Sequence, residues 1–339
     1  MPRSEIEGKD NSSEDKSNYK VVCKGDMVYN SMRMWQGANG VSNYDGIVSP
    51  AYTVLMPTEE IDNQYFAALF KTSNLINAFR KNSQGLTSDT WNLKYPQIRP
   101  IRLYIPSLQE QTKISSFIGM LEERIGKQRQ LVAALKKYKR GLHKLVFIKN
   151  RKHSWEKSAL HDIASFCGGG TPSKDISSYW EGEIGWISSS DIQEEWIDDI
   201  SVTRRITKTA IDNSATKLCP EGTIAIVSRV GVGKVAIMPE SLCTSQDFTN
   251  ITSITGNTHY MAYQIAFRMK LEAMKTQGTS IKGVTADTIK AMVLDIPPLE
   301  EQKKIADMLT AFDAYIKRAV CELDLFLAMK KALLQQLFI

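Results

Sequence analysis

Residues 105–147 read IPSLQEQTKISSFIGMLEERIGKQRQLVAALKKYKRGLHKLVF, and residues 296–338 read IPPLEEQKKIADMLTAFDAYIKRAVCELDLFLAMKKALLQQLF. The two stretches align without a gap, each residue of the first meeting its counterpart 191 positions later. Self-similarity at a fixed spacing is an architectural signal, here of two globular units that each lead into a long helix. With Ile114 as heptad position a, the a positions are Ile114, Leu121, Gln128, Leu135 and Leu142, and the d positions are Ile118, Ile125, Val132, Lys139 and Val146. The second copy places Ile305, Phe312, Ala319, Phe326 and Leu333 at a, and Leu309, Ile316, Leu323, Lys330 and Leu337 at d. Mainly apolar a/d spacing held over about five heptads is a coiled-coil signature. One such helix alone would expose its seam to water. Two copies in one chain most simply pack on each other, antiparallel if the globular units sit at opposite ends.

Lys139 and Lys330 interrupt the seam at the same place in both copies. Two readings stand for them: polar seam residues that set the register, or side chains that snorkel from fraying ends. Each helix also has a start signal. Pro106, and Pro297 with Pro298, disfavour helix before them and suit its first turn. Glu110, Glu300 and Glu301 put negative charge at the positive helix end. A helix from Leu108 to Phe147 would extend roughly 60 Å at 1.5 Å per residue.

Composition narrows the class. The chain has 339 residues, enough for two cored domains, with 42% hydrophobic and 24% charged residues, ordinary for a globular protein. No apolar run approaches the roughly 18 residues of a membrane helix, so no membrane partner is expected. The five cysteines are scattered without metal-ligand spacing, which suggests reduced thiols in a cytoplasmic protein. The net charge of +6 permits an anionic partner without proving one. The opening residues 1–18 are polar and of mixed charge, and read as a disordered lead.

Between residues 154 and 295, short apolar runs alternate with turn signals: GEIGWIS, GTIAIVSRV, KVAIMPE and NITSI. These read as strands. A helix HYMAYQIAFRMKLEAMKTQ ending at Gly278, a short helix ADTIKAM and a strand VLDIP follow, so the unit is α+β. Residues 19–104 echo only its later part. GDMVYNSMR parallels GTIAIVSRV, residues 63–85 parallel the long helix with a shared Gln-Gly end, and IRPIRLYIP parallels IKAMVLDIP. Residues 154–215 have no counterpart, which leaves the first unit about 60 residues short.

Catalytic motifs fail on inspection. GVGKVA (231–236) has Ser228 and Val235 where a phosphate loop needs Gly and Ser/Thr, and reads as a hairpin turn. GGGTPSK (168–174) is read as a flexible loop, able to set N–H groups and Lys174 against phosphates or simply to be a solvated turn. The acidic or Asn residue, Pro-Pro and aromatic of amino-methyltransferases is absent, because DIPPL inserts Ile296 and lacks the aromatic. Glu301-Gln302-Lys303 resembles the end of a nuclease motif, but the first copy has Thr112 in place of the lysine. The four histidines are dispersed, and no catalytic or metal site is assigned. What remains is binding chemistry. The run 136–153 is basic, suited to phosphates or to a solvated helix face. Arg33, Trp35, Gln36 and Asn39, then Thr171, Lys174, Ser189, Asp191, Arg229, Lys234 and Gln246, lie in turns. Arg suits guanine, and Asn or Gln suits adenine, in the major groove.

On the duplicated IPSLQEQTKI and IPPLEEQKKI helix starts, with GVSNYDGIVSPAYTVL and GGGTPSKDISSYW…GWISSSDI, the chain resembles the specificity subunits of type I restriction-modification systems from about residue 19 onward. The resemblance implies an α+β chain in which two β-rich target-recognition domains are separated by two long helices packed as an antiparallel coiled coil. Its expected parts are a partial first recognition domain at 19–104, a first spacer helix at 105–150, a complete second domain at 151–295 and a second spacer helix at 296–339. The helix pairing would rest on Ile114, Ile118, Leu121, Ile125, Val132, Leu135, Ile305, Leu309, Phe312, Ile316, Leu323 and Phe326. The implied partners are double-stranded DNA with a bipartite target, two methyltransferase subunits that methylate adenine, and restriction subunits. Non-catalytic itself, the chain would need no cofactor, leaving S-adenosylmethionine, ATP and Mg to its partners. Two other readings stand beside this one: a truncated or defective subunit reading one half-site, and a coiled-coil scaffold that binds no DNA.

Overall fold

A computed structural model describes residues 14–85, 91–152, 154–276 and 283–338. The chain divides into two units, residues 1–132 with 319–339, and residues 133–318. In the first, the strands are β1 (Lys20–Val22), β2 (Met27–Asn30), β3 (Asn39–Val41), β4 (Gly46–Val48) and β5 (Tyr52–Leu55). The helices α1 (Asn63–Leu69), α2 (Ser73–Asn82) and α3 (Tyr95–Ile98) follow, before the long α4 (Leu108–Lys144). The second unit runs through β6 (Glu156–Ala159), α5 (Leu160–Ile163), β7 (Ala164–Gly168), β8 (Ile184–Ile187), β9 (Arg204–Ile206), α6 (Lys208–Asp212), β10 (Leu218–Cys219) and β11 (Ile224–Val227). It ends with β12 (Val235–Ile237), β13 (Leu242–Thr244), β14 (Phe248–Ile254), α7 (Thr258–Thr276), α8 (Ala286–Lys290), β15 (Val293–Ile296) and the long α9 (Leu299–Leu337).

The sheets show how the units are related. The second unit has sheets ordered β10-β13-β8-β9 and β12-β11-β14-β7, with β15-β6 apart. Strand β11 is wholly buried because it is covered on both faces, which is why IAIV is apolar throughout. Ile224 and Ile226 face α7, while Ala225 and Val227 face the inter-sheet core. The first unit repeats this plan in part, with sheets β1-β4 and β3-β2-β5. Ladder for ladder, β1-β4 matches β10-β13 and β3-β2-β5 matches β12-β11-β14. The strands without a counterpart among the described residues are β6 to β9, within the segment 154–215, and β15.

Two echoes of the second unit differ. Residues 63–85 form two helices rather than one. Thr72 takes an extended conformation and its hydroxyl turns back to the Leu69 carbonyl at 2.8 Å, an alternative to the helix ladder that Thr and Ser readily offer. The second of these helices stops at Asn82, short of the Gln84-Gly85 end, and Gly278 lies outside the described residues. The counterpart of β15, residues 101–105, forms no strand. In the second unit β15 pairs with β6, and the first unit has no such partner to satisfy an edge.

The helix starts are built alike. Gln111 and Gln302 are buried, 1% and 3% exposed. The Gln111 amide oxygen accepts the Asp62 N–H at 3.0 Å while its NH2 donates to the carbonyls of Glu60 and Pro106. Gln302 accepts the Asn257 N–H at 2.8 Å and donates to the Pro297 carbonyl. Asp62 and Asn257 precede α1 and α7, and each side chain caps its helix by accepting from Tyr65 or Tyr260. The same two tyrosines meet the far helix: Tyr65 packs on Phe338 and Tyr260 on Phe147.

Within each unit the long helices run antiparallel. In the first, Ile114 and Phe338 share one core, Arg124 lies over Phe326, and Gln128 donates to the Ala319 carbonyl and to Glu322. In the second, Tyr138 packs on Phe312, and Leu142, Ile305 and Leu309 share another core. Ile118, Leu121, Ile125, Val132, Leu309 and Ile316 are buried, and Ile114, Leu135, Ile305, Phe312, Leu323 and Phe326 half-buried. The two seam lysines pair across the helices. Lys139 meets Asp313 at 2.7 Å and Lys330 meets Glu122. Glu122 and Asp313 are themselves counterparts in the repeat, so the same ion pair occurs twice. Neither lysine snorkels from a frayed end.

Burial pushes the Asp313 carboxyl up and the Lys139 ammonium down, so each charge depends on the other. Asp313→Ala is therefore expected to destabilise the fold by about 3–5 kcal/mol, and the pair Lys139→Met with Asp313→Leu to recover most of that, measured by urea unfolding. Near this pair, burial and then the Lys139 and Lys270 charges press His143 down to about 3. A histidine depressed from about 6.5 contributes stability that is complete above pH 6.5 and is lost as pH falls, at up to about 1.4 kcal/mol per pH unit. Urea midpoints followed from pH 7 to pH 5 should fall less steeply in His143→Phe, and parallel curves would count against this origin.

Candidate nucleic-acid interface

GVGKVA closes the β11–β12 hairpin: the Val227 N–H donates to the Lys234 carbonyl at 2.9 Å, and Gly231 and Gly233 hold the positive φ the turn requires. No helix follows it, so the phosphate-loop reading falls. The GGGTPSK segment is packed rather than flexible. A Cβ on Gly169 would strike the Ser245 carbonyl, and one on Gly170 the backbone at Ala215. The Gly170 carbonyl accepts from the Trp186 indole at 2.9 Å and the Thr216 hydroxyl at 2.7 Å. Close backbone approach, not mobility, is what its glycines serve.

The candidates in the second unit fall into two groups. Thr171 donates to the Gln246 amide oxygen, which leaves the Gln246 NH2 without a protein partner among the described residues. Gln246 lines one cleft of about 490 Å³ with the exposed Arg229, which has no partner among the described residues, and with Ser228, Thr249, Thr285 and Lys290. Lys174 is exposed on the loop beyond Pro172.

The second group is engaged internally. Lys234 donates to the Ser189 carbonyl at 2.7 Å. Asp191 is buried and accepts from the Ser188 N–H and hydroxyl, from Thr203 and from Arg204, the last at 2.6 Å. Burial pushes the Asp191 carboxyl up, but these donors outweigh it and hold it below the usual carboxylate range. Arg204 also lies over the Trp186 ring at 4.5 Å. Asp191 thus orders the WISSSDI turn with a carboxylate that has little capacity left for a base.

In the first unit, Arg33 and Asn39 line a hollow of about 740 Å³ between the two sheets. Trp35 packs edge-on against Trp91 with Arg80 over its ring, and Gln36 is exposed beside it. The basic run divides as well. Lys136 pairs with Glu195, Arg151 with Asp295 and Lys152 with Glu301, besides Lys139. Lys137, Arg140, Lys144 and Lys149 are exposed without an ion-pair partner among the described residues.

Lys290 carries a further cation into the cleft, over Phe166 at 5.9 Å. It escaped sequence reading because ADTIKAM looks like an ordinary short helix. Only its placement beside Arg229 gives it meaning.

The family model of the type I restriction modification DNA specificity domain matches residues 152–320, which lie almost wholly in the second unit. Residues 152–320 belong to the type I restriction modification DNA specificity domain family. The MjaIX specificity subunit of Methanocaldococcus jannaschii is 34% identical over 167 residues, covering 48% of this chain and 39% of the relative. The EcoR124I/EcoR124II specificity subunit of Escherichia coli is 29% identical over 245 residues, covering 68% and 59%. The chain thus spans less than two thirds of either relative. The fold resembles the S subunit of a type I restriction-modification system from M. genitalium, with a TM-score of 0.60 at 12% identity, over 94% of this chain and 84% of that one. No helix among the described residues of this chain is long and apolar enough to cross a membrane.

Proposed function

We propose that this chain reads double-stranded DNA sequence for a type I restriction-modification complex, without chemistry of its own, and holds methyltransferase and restriction subunits on the DNA. The observation that carries the reading is the cleft of the family-matched unit, where Arg229 and Gln246 present unpaired donors from a rigid sheet. A guanidinium matches guanine O6 and N7, and a carboxamide matches adenine N6 and N7. Lys174 and the unpaired Lys137, Arg140, Lys144 and Lys149 suit phosphates, which fix position rather than sequence. Methyl transfer would use S-adenosylmethionine, and restriction ATP and Mg, all on the partner subunits.

Co-expression with the cognate methyltransferase, followed by genome-wide mapping of adenine methylation, tests this. A bipartite methylated motif is expected. A motif confined to one half would favour the reading in which the shortened first unit has lost its half-site, and no methylation would sink both. On purified complex, the logarithm of the binding constant should fall linearly with the logarithm of salt concentration.

A further inference from the structure

The cleft of Arg229 and Gln246 has a twin in the first unit. The equivalence rests on hydrogen bonds rather than on sequence alignment. The Ser31 N–H donates to the Ala51 carbonyl at 2.9 Å, and the Ser228 N–H to the Asp247 carbonyl at 2.8 Å. The Leu93 N–H donates to the Ser31 carbonyl, and the Val284 N–H to the Ser228 carbonyl, both at 2.8 Å. Tyr52 faces Asn30 in one ladder as Phe248 faces Val227 in the other. Ser31, Ala51 and Leu93 therefore stand where Ser228, Asp247 and Val284 stand. By the same register Met32 occupies the place of Arg229, and Pro50 that of Gln246.

The first-unit cleft has a volume of about 330 Å³, with Met32, Pro50, Lys20, Lys94 and Tyr95 in its wall. Its location in the fold is the same and its chemistry is not. A thioether and a pyrrolidine replace the guanidinium and the carboxamide. Thr171, which holds the Gln246 amide, and Phe166 to Gly168, which wall the second cleft, all lie on residues 154–215, which have no counterpart among the described residues of the first unit. Lys20 and Lys94 remain and suit phosphates, but a lysine on a phosphate carries no sequence information. Met32 and Pro50 can offer only apolar contact, of the kind a thymine methyl accepts.

We infer that Arg229 and Gln246, in matching clefts where the first unit has Met32 and Pro50, are the specificity-determining residues of the second unit, so that the two halves of the target are read by different means and the first half is specified by fewer base pairs. This rests on the DNA-reading function proposed above. Arg229 and Gln246 supply hydrogen bonds to base edges. The first unit relies on backbone charge, apolar contact and DNA shape.

The test is selection of duplexes from a randomised pool by the full chain in complex with its methyltransferase. The expected motif has two unequal halves. Arg229→Ala and Gln246→Ala should each relax the longer half alone, lowering preference at the affected base pair by about 5- to 150-fold. Met32→Ala should leave the longer half intact. Both second-unit side chains are exposed, so thermal melting of the variants should match the parent. Halves of equal length, a motif confined to one half, or variants that keep the parent motif would each overturn the inference while leaving DNA reading in place. A pool that enriches no sequence would overturn the DNA-reading function itself and the inference with it.

Discussion

A single buried carboxamide at each helix start holds the architecture together. Gln111 and Gln302 sit where a long helix leaves its globular unit, and each bonds both to the chain entering the helix and to the residue that caps the unit's own helix. A carboxamide presents a donor and an acceptor from one planar group, so it can satisfy both backbones at once. A carboxylate would lack the donor, and an apolar side chain would strand the N–H of Asp62 or Asn257 in the interior, at a cost of about 1–3 kcal/mol. With the helix direction set there, the heptad seam can form over its full length. The Lys139–Asp313 and Lys330–Glu122 pairs then select one antiparallel register, since a slip of one heptad would break both pairs and leave Lys139, Asp313 and Glu122 facing apolar side chains. Each pair is small in itself. Their effect comes from occurring at related places in a repeat.

The repeat was legible because heptad spacing is a property of the sequence alone. The strands of the second unit were legible for a similar reason: runs such as IAIV are apolar throughout, and turns flank them. The hairpin reading of GVGKVA followed from Val235–Met238 and Pro239, which read as a returning strand rather than a helix. Features that depend on the tertiary partner were not legible. Gln111 and Gln302 look like surface residues until their helices dock. The break at Thr72 lies inside a pattern with helical spacing, and only the hydroxyl bond to Leu69 reveals it. Residues 101–105 read like β15 because their composition is similar, yet a strand needs an edge to pair with. The glycines at 168–170 suggested mobility when their function is to let Ser245 and Ala215 approach.

Candidate binding residues divided along the same line. Residue type and turn location selected Arg229, Gln246, Lys234 and Asp191 equally. Their partners separate them. Lys234 and Asp191 are used to build the turn at residues 188–191, whereas Arg229 and the Gln246 amide nitrogen have no protein partner among the described residues. A polar side chain on a rigid strand end, unpaired although polar neighbours surround it, is the pattern a recognition surface requires. Sequence shows donors and acceptors but not which are already used.

The first unit lines its inter-sheet space differently from the second. In the second unit, Val227, Ala236, Met238 and Leu242 belong to the dry core between the sheets, closed from the other side by Ile187 and Ile192. Their register equivalents are Asn30, Gly40, Ser42 and Gly46, and these line the 740 Å³ hollow. An apolar set at these positions would give that open hollow a contiguous greasy face, which invites edge-to-edge association. Smaller and more polar residues remove that liability and leave the sheets supported mainly from the helix side, where Met27, Tyr29 and Phe79 remain buried. At these positions the first unit carries residues that suit an open hollow between its sheets rather than a closed core.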